Sequence, residues 1–289
     1  MEKLFHKNAI HVRKIELIVK DLKRSIEFYT SQLGFQLIDE TERFVSLGVN
    51  GDEILRLFEN KEAKPIDKTL GIYHFAILLP NRKALSRFLK HCIAKQIPIT
   101  GAADHLVSEA IYLLDPDGIG IEITADRNQE FWNPEKQSVP MGTLPFDYTG
   151  VYYETLEEGD SFTQLPEDTI LGHLHLQVKD LSSSSQFYEK SLGFQITSKD
   201  FQGAVFMSDE HYHHHIALNS WMTGKYIAHT DDSIGMKSFS IEYPTCEKLI
   251  SALEHIKEAN IEIKETIEGY LIRDMDKNAV YLDIKHSDY

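Results

Sequence analysis

The sequence predicts an α+β protein assembled from four βαβββ modules. Three observations predict it: an internal repeat, a second unit interleaved with that repeat, and apolar alternation with a period of two in the segments between helices. The repeat is Val19-Lys20-Asp21-Leu22, then Phe28-Tyr29, then Leu33-Gly34-Phe35-Gln36. It returns as Val178-Lys179-Asp180-Leu181, Phe187-Tyr188 and Leu192-Gly193-Phe194-Gln195. Every match keeps the 159-residue offset between Val19 and Val178, a register that chance does not preserve.

Module 1 opens with Ile15, Leu17 and Val19 in alternation, a half-buried strand; Leu174, Leu176 and Val178 open module 3 in the same way. Asp21 and Asp180 stand where an N-cap should, since a short carboxylate can accept from the free N–H groups of the first helical turn. Leu22, Ile26 and Tyr29 then recur at helical spacing, and Gly34 and Gly193 end the two helices as residues able to take positive φ. Strands are expected at 35–39, 43–49 and 53–58 in module 1, and at 194–200, 203–209 and 213–221 in module 3. Module 2 reads as a strand at 72–79, an amphipathic helix at 82–95, and strands at 97–100, 107–114 and 119–124. Module 4 repeats that plan at 239–243, 245–259, 261–266, 270–274 and 279–284. The expected domains are therefore 1–127, holding modules 1 and 2, and 170–289, holding modules 3 and 4. Residues 128–169, with Pro134, Pro140, Pro145 and Pro166, form a linker long enough to pack on one of them.

Composition narrows the function classes. A formal charge of −15 over 289 residues argues against binding nucleic acid through phosphate neutralisation and against docking on an anionic membrane face. The two cysteines, Cys92 and Cys246, fall in predicted helices of different halves with no CxxC pair, as expected of free thiols in a reducing cytoplasm. No stretch is apolar over the ~18 residues a membrane span needs.

Strands show alternate side chains on one face, so equivalent strands of the four modules should aim equivalent positions at a cleft. First-strand positions hold Lys14, His74, His173 and Ser238 in modules 1 to 4. Last-strand positions hold Glu122 in module 2 and Tyr281 in module 4, while module 3 carries His213-His214-His215 and module 1 carries Arg56-Leu57. Every good metal ligand thus falls in modules 2 and 3. His74, Glu122 and His173 make a two-His-one-carboxylate set, the donor pattern of non-haem iron oxygen chemistry. Modules 2 and 3 are expected to share one cleft, within the chain or across a homodimer. His214 and His215, being adjacent on a strand, cannot both point inward and should differ in role; whichever shares the inward face either lines the cleft or adds a fourth ligand. Phe75, Phe201, Phe206, Trp221 and Trp132 are candidates to line an aromatic or apolar pocket.

These modules resemble the vicinal-oxygen-chelate superfamily of glyoxalase I, extradiol dioxygenases and bleomycin-resistance proteins, over nearly the whole chain apart from the linker. The shared marks are the VKDL…FY…LGF segments and the Asp115-Pro116-Asp117-Gly118 turn before Glu122. The stretch from His105 through Tyr112 and that turn to Glu122 looks like the extradiol signature. GHLHLQV around His173, with the segment from Tyr212 to Asn219, looks like the two-domain catechol 2,3-dioxygenase-like branch. The resemblance implies two glyoxalase-like domains and cleavage of a small aromatic diol with O2. It implies Fe(II) as cofactor, with Mn(II), Zn(II) or Ni(II) as alternatives. It further implies His105 and His214 as acid–base residues, Tyr112 as a hydrogen-bond donor to the substrate, and His74, Glu122, His173 and His215 around the metal. The chain departs from the best-studied extradiol pattern, which puts this motif in the last module; here the last module has Ser238 and Tyr281. Two other readings use the same fold: a glyoxalase-type lyase or isomerase with four protein ligands, and a non-catalytic protein that sequesters a small molecule.

Overall fold

The computed structural model describes residues 8–65, 69–129, 138–156, 162–222, 229–230 and 232–285. In module 1, β1 is His11–Val19, α1 is Leu22–Glu27, and β2 to β4 are Gln36–Glu40, Val45–Val49 and Asp52–Glu59. Module 2 comprises β5 (Gly71–Leu79), α2 (Arg82–Lys95), β6 (Gly101–Asp104), β7 (Ser108–Leu114) and β8 (Gly120–Asp126). A short β9 (Leu144–Pro145) and α3 (Tyr148–Tyr153) follow. Module 3 is β10 (Ile170–Gln177), α4 (Leu181–Lys190), β11 (Gln195–Ser198), β12 (Ala204–Ser208) and β13 (Ile216–Asn219). Module 4 is β14 (Gly235–Tyr243), α5 (Cys246–Glu258), β15 (Lys264–Thr266), β16 (Gly269–Arg273) and β17 (Ala279–Ile284).

Four βαβββ units are present, and they pair across the chain. Modules 1 and 4 form one sheet in the order β15-β16-β17-β14-β1-β4-β3-β2. Modules 3 and 2 form the other, in the order β11-β12-β13-β10-β5-β8-β7-β6-β9. The joints are antiparallel, β1 against β14 and β10 against β5, and in each module the first strand runs parallel to the last. Residues 1–127 and 170–289 therefore each contribute one module to each sheet. One continuous apolar core, from Ile15 and Leu17 through Phe75 and Phe88 to Phe239, joins the two.

The repeated motifs are largely structural. Asp21 and Asp180 accept from the backbone N–H of Arg24 and Ser183, capping α1 and α4. Gly34 and Gly193 take φ of +85° and +88°, where any Cβ would be strained. Tyr29 and Tyr188, from the two Phe-Tyr pairs, are buried and donate to Asp115 and Asp274 at 3.1 and 2.9 Å. Those two aspartates also cap their own turns: Asp115 accepts from the N–H groups of Asp117 and Ile119, and Asp274 from those of Asp276 and Asn278. Backbone N–H groups of Lys20 and Lys179 reach Asp117 and Asp276. The motif residues thus bolt the first module of each half to the β-turn of the second.

Three expectations shift. Residues 97–100 are no strand: Gln96 ends α2 in a left-handed cap (φ +55°) and Ile97 N–H returns to Cys92 O, so pairing starts only at Gly101. The strand expected at 213–221 is shorter, Ile216–Asn219, and the three histidines lie in the bend that leads into it. The 128–169 segment is more than a tether, since β9 adds an edge to the second sheet beside β6 and α3 packs on α2. Among the described residues no helix is long and apolar enough to cross a membrane. Cys92 is buried and Cys246 exposed, both as free thiols.

Candidate functional site

Three adjacent strands, β10, β5 and β8, carry His173, His74 and Glu122. Register explains their meeting. Antiparallel pairing sets His173 opposite Ala76, and parallel pairing sets Glu122 opposite the same Ala76. His74 lies two residues before Ala76, on the same face. Glu122 Oε2 is 3.1 Å from His74 Nε2 and 3.3 Å from His173 Nε2, and the two imidazole nitrogens are 3.4 Å apart. One ion about 2.1 Å from three donors at near-right angles holds them ~3.0 Å apart, so the spacing fits a divalent cation bound on one face by these atoms. Among the described residues they form a cluster of metal-ligand type, all three buried.

The electrostatics favour the ligating forms. Burial works to raise the Glu122 pKa, but the charges and hydrogen bonds of His173 and His74 outweigh it and hold the carboxyl well below its usual range. Burial is the largest influence on His173 and lowers its pKa, which favours the neutral imidazole. Among the described residues none forms a hydrogen bond with the buried His173 Nδ1. Gly120 makes room for the set: a Cβ there would lie 2.5 Å from the Tyr73 carbonyl oxygen and 3.1 Å from His74 Cβ.

The cluster opens on a cavity of about 490 Å³ whose lining includes Tyr73, His105, Tyr112, His175, Phe206 and His214. His105 sits in the β6–β7 turn. Its Nδ1 lies 2.9 Å from Gly142 O, which can only accept, so Nδ1 carries the proton; Nε2 meets the Tyr112 hydroxyl at 2.6 Å. Tyr112 faces Glu122 across β7–β8. Burial, then the Glu122 charge, push its phenol far above the ordinary range, so it stays a hydroxyl donor. His214 lines the cavity with its ring 4.1 Å from that of His173. Asp126 stands 3.1 Å from His213 Nε2, and His213 Nδ1 stands 2.8 Å from His214 Nδ1. With Asp126 accepting from His213 Nε2–H, the proton between the two Nδ1 atoms belongs to His214, whose Nε2 is then a free base. Burial, then His173 and His213, lower the His214 pKa well below its usual value, in keeping with a neutral ring.

His215, expected as a fourth ligand, does not join the cluster. The chain turns at this bend so that its ring packs against Tyr212 at 4.8 Å, and its Nδ1 accepts from the Asp209 N–H on the far side from the cavity. Of the expected aromatic lining, Phe201, Phe206 and Trp221 border the cavity. Phe75 does not; being next to the inward His74, it faces the opposite side of the sheet and is fully buried in the core. Trp132 lies outside the described residues. Sequence reasoning missed His175, Tyr73, Met141 and Thr143, all of which line the cavity. His175 was within reach, because it follows His173 by two on the same strand; Met141 and Thr143 come from the segment read as a linker, which has no periodicity to follow.

Comparison with known proteins agrees with this architecture. The model of the glyoxalase/bleomycin resistance protein/dioxygenase superfamily matches residues 11–123 and 170–276. A protein of Bacillus subtilis (strain 168) named catechol-2,3-dioxygenase is 37% identical over 274 residues, covering 91% of this chain and 93% of its own length. A crystal structure from Bacillus subtilis subsp. subtilis str. 168 superposes with a TM-score of 0.67 at 13% identity, covering 97% of this chain and 87% of that one. Glyoxalase I from Zea mays superposes with a TM-score of 0.57 at 18% identity, covering 94% and 92%. These two share the fold.

Proposed function

The chain belongs to the glyoxalase/bleomycin resistance protein/dioxygenase superfamily, and on that premise we propose that it is a metal-dependent extradiol dioxygenase that opens the ring of a catechol-like diol with O2. The observation that carries the reading is the convergence of His74, His173 and Glu122 at metal-ligand spacing on the floor of a cavity lined by His105, Tyr112 and His214. The likeness to a protein named catechol-2,3-dioxygenase supports the same class.

His74, His173 and Glu122 hold the metal, for which Fe(II) is the first choice over Mn(II), Zn(II) or Ni(II). Bound there, such an ion supplies Lewis acidity toward the diol oxygens and, as iron, the electrons that O2 chemistry requires. These three would be the protein donors to such an ion, since His215 faces away and would add no fourth. The protein's remaining task is moving protons. His214 Nε2, unprotonated and facing the cavity, takes a proton from the incoming diol and returns it as the ring opens. The Tyr112 hydroxyl donates its one proton to His105 Nε2 and can accept from a substrate hydroxyl; once that nitrogen has taken the proton, a proton passed on from the diol lets Tyr112 donate toward a substrate oxygen. Gly142 O fixes the His105 tautomer for this role. Burial of His74, His173 and Glu122 and the apolar wall around Phe206 and Leu113 limit the entry of water to the site. The cytoplasm suits the two free cysteines.

The test is anaerobic purification, loading with ferrous ion, and measurement of oxygen uptake with catechol. One O2 consumed per catechol, with a ring-opened product, supports the reading. Tight metal binding with no catechol-dependent oxygen uptake sinks it in favour of a lyase, an isomerase or a binding protein.

A further inference from the structure

The β10 strand places a second histidine in the cavity that neither metal binding nor proton movement uses. His175 faces His74 across the β10–β5 pairing and is only 4% exposed, yet lines the cavity. Its ring is boxed by His74 at 4.8 Å, Tyr73 at 5.0 Å, Trp221 at 5.4 Å and Phe206 at 6.1 Å.

A chain of hydrogen bonds determines where its proton sits. Asn219, completely buried at the end of β13, points one amide atom at the Trp221 backbone N–H at 3.2 Å and the other at His175 Nε2 at 2.9 Å. A backbone N–H can only donate, so the atom beside Trp221 is the amide oxygen and the atom beside His175 is the NH2 group. That NH2 can only donate in turn, so His175 Nε2 is the accepting, unprotonated nitrogen and the proton is on Nδ1. The arrangement is held rigidly, since β10 and β13 pair through His175 opposite Ala217, and Gln177 Nε2 donates to Asn219 O at 3.2 Å. No described residue accepts from Nδ1.

We propose that His175 is a specificity-determining residue, its Nδ1–H aimed at the substrate, and that the cavity selects uncharged aromatic diols whose ring carries a hydrogen-bond acceptor such as an ether or carbonyl oxygen. The proposal rests on the ring-cleavage reading and adds the substrate class to it. Acceptors are selected because a buried donor left unmet by a purely alkyl substituent loses its bond to water without replacement. Charged acceptors are disfavoured because the described lining residues include no Lys or Arg to pair with one. Asn219 touches no substrate; it is a positioning residue that acts through His175.

The experiment compares methoxycatechols with ethylcatechols, near-isosteres of similar acidity, as 3- and 4-isomers. Protein loaded with Zn(II) is used without oxygen, and binding is read from tryptophan fluorescence, Trp221 being in the wall. The expected result is at least about tenfold tighter binding of one methoxy isomer than of its ethyl counterpart. The ratio falls to about one in His175→Phe and drops partway in Asn219→Leu, where the proton is free to move between both nitrogens. In each protein the methoxy and ethyl affinities are expressed relative to that for unsubstituted catechol, which sets the baseline. Should His175→Phe fail to fold or to hold zinc, Asn219→Leu carries the test. Equal methoxy and ethyl affinities in the wild type, or a ratio untouched by the substitutions, overturns the role of His175 while leaving ring cleavage standing. Failure of the wild type to bind any diol, catechol included, overturns the ring-cleavage reading and this inference together.

Discussion

The two sheets are built to one plan and solve the same electrostatic problem in opposite ways. Strand register makes the comparison residue by residue. Positions held by His173, His175, His74 and Glu122 in the sheet of modules 2 and 3 are held by Lys14, Glu16, Ser238 and Tyr281 in the sheet of modules 1 and 4. Counting back two residues from the paired Ile216 and Leu55, His214 corresponds to Glu53, and Ala217 corresponds to Arg56. In the sheet of modules 2 and 3 a buried carboxylate has two imidazoles for company. In the sheet of modules 1 and 4, Lys14 Nζ lies 3.8, 3.4 and 3.8 Å from carboxylate oxygens of Glu16, Glu53 and Glu268, and Arg56 also contacts all three. Ser238 donates to Glu16 at 2.6 Å. A buried carboxylate must be paired or metal-bound. One sheet pairs its carboxylates with its own cations; the other sets two imidazoles beside its carboxylate, the arrangement that the proposed metal would complete. The fold permits both, so the chemistry follows from which residues occupy the shared positions.

The comparison breaks most sharply at the ligands. Glu122→Ala should abolish oxygen uptake and weaken metal binding by more than about 100-fold, whereas Ser238→Ala and Tyr281→Phe should leave metal content unchanged; elemental analysis after dialysis separates them. Equal metal loss in all three would erase the distinction between the sheets. Next in size is His214→Ala, expected to keep the metal while kcat falls by about 10²–10⁴, read in steady-state oxygen uptake; an accompanying loss of metal would make His214 a ligand instead.

In the opposite sheet, Arg56→Met strands buried carboxylates and should cost about 3 kcal/mol of stability in urea melts without touching metal stoichiometry. A smaller effect is expected from Gly120→Ala, which alters no ligand but pushes on the Tyr73 carbonyl and His74; metal affinity should fall by about tenfold. The smallest is a pH effect. Burial works to raise the Glu53 pKa, but hydrogen bonds from Arg56 and Ser46 and the charge of Lys14 outweigh it and hold it below the ordinary carboxylate value of 4.5. With the folded pKa depressed, Glu53 stabilises the protein fully above pH 4.5, and that contribution is lost as pH falls through its lowered folded value. Comparing melting temperatures of wild type and Glu53→Gln across that window should show the gap closing on acidification.

Much of this was legible before any coordinates. Asp21, Gly34 and the Phe-Tyr pairs announce themselves because capping, positive φ and helical spacing are local effects, readable within a few residues. The gathering of His74, Glu122 and His173 in modules 2 and 3 was legible for a related reason, since the period of a strand assigns each side chain a face. His214 and His215 were separable only as a pair of unlike neighbours. They sit in an irregular bend, where no period says which ring turns inward.

The sequence by itself determined the modules, their caps and turns, and the inventory of ligand-type side chains, all consequences of periodicity and of backbone preferences that act over short spans. Tertiary structure alone decided that β5 pairs with β10, bringing together histidines 99 residues apart. It also decided that Gly142 locks His105, that Asn219 locks His175, and that His215 leaves the site. Those outcomes depend on which distant surfaces pack against each other, and no local pattern encodes the register of strands that meet only when the core closes.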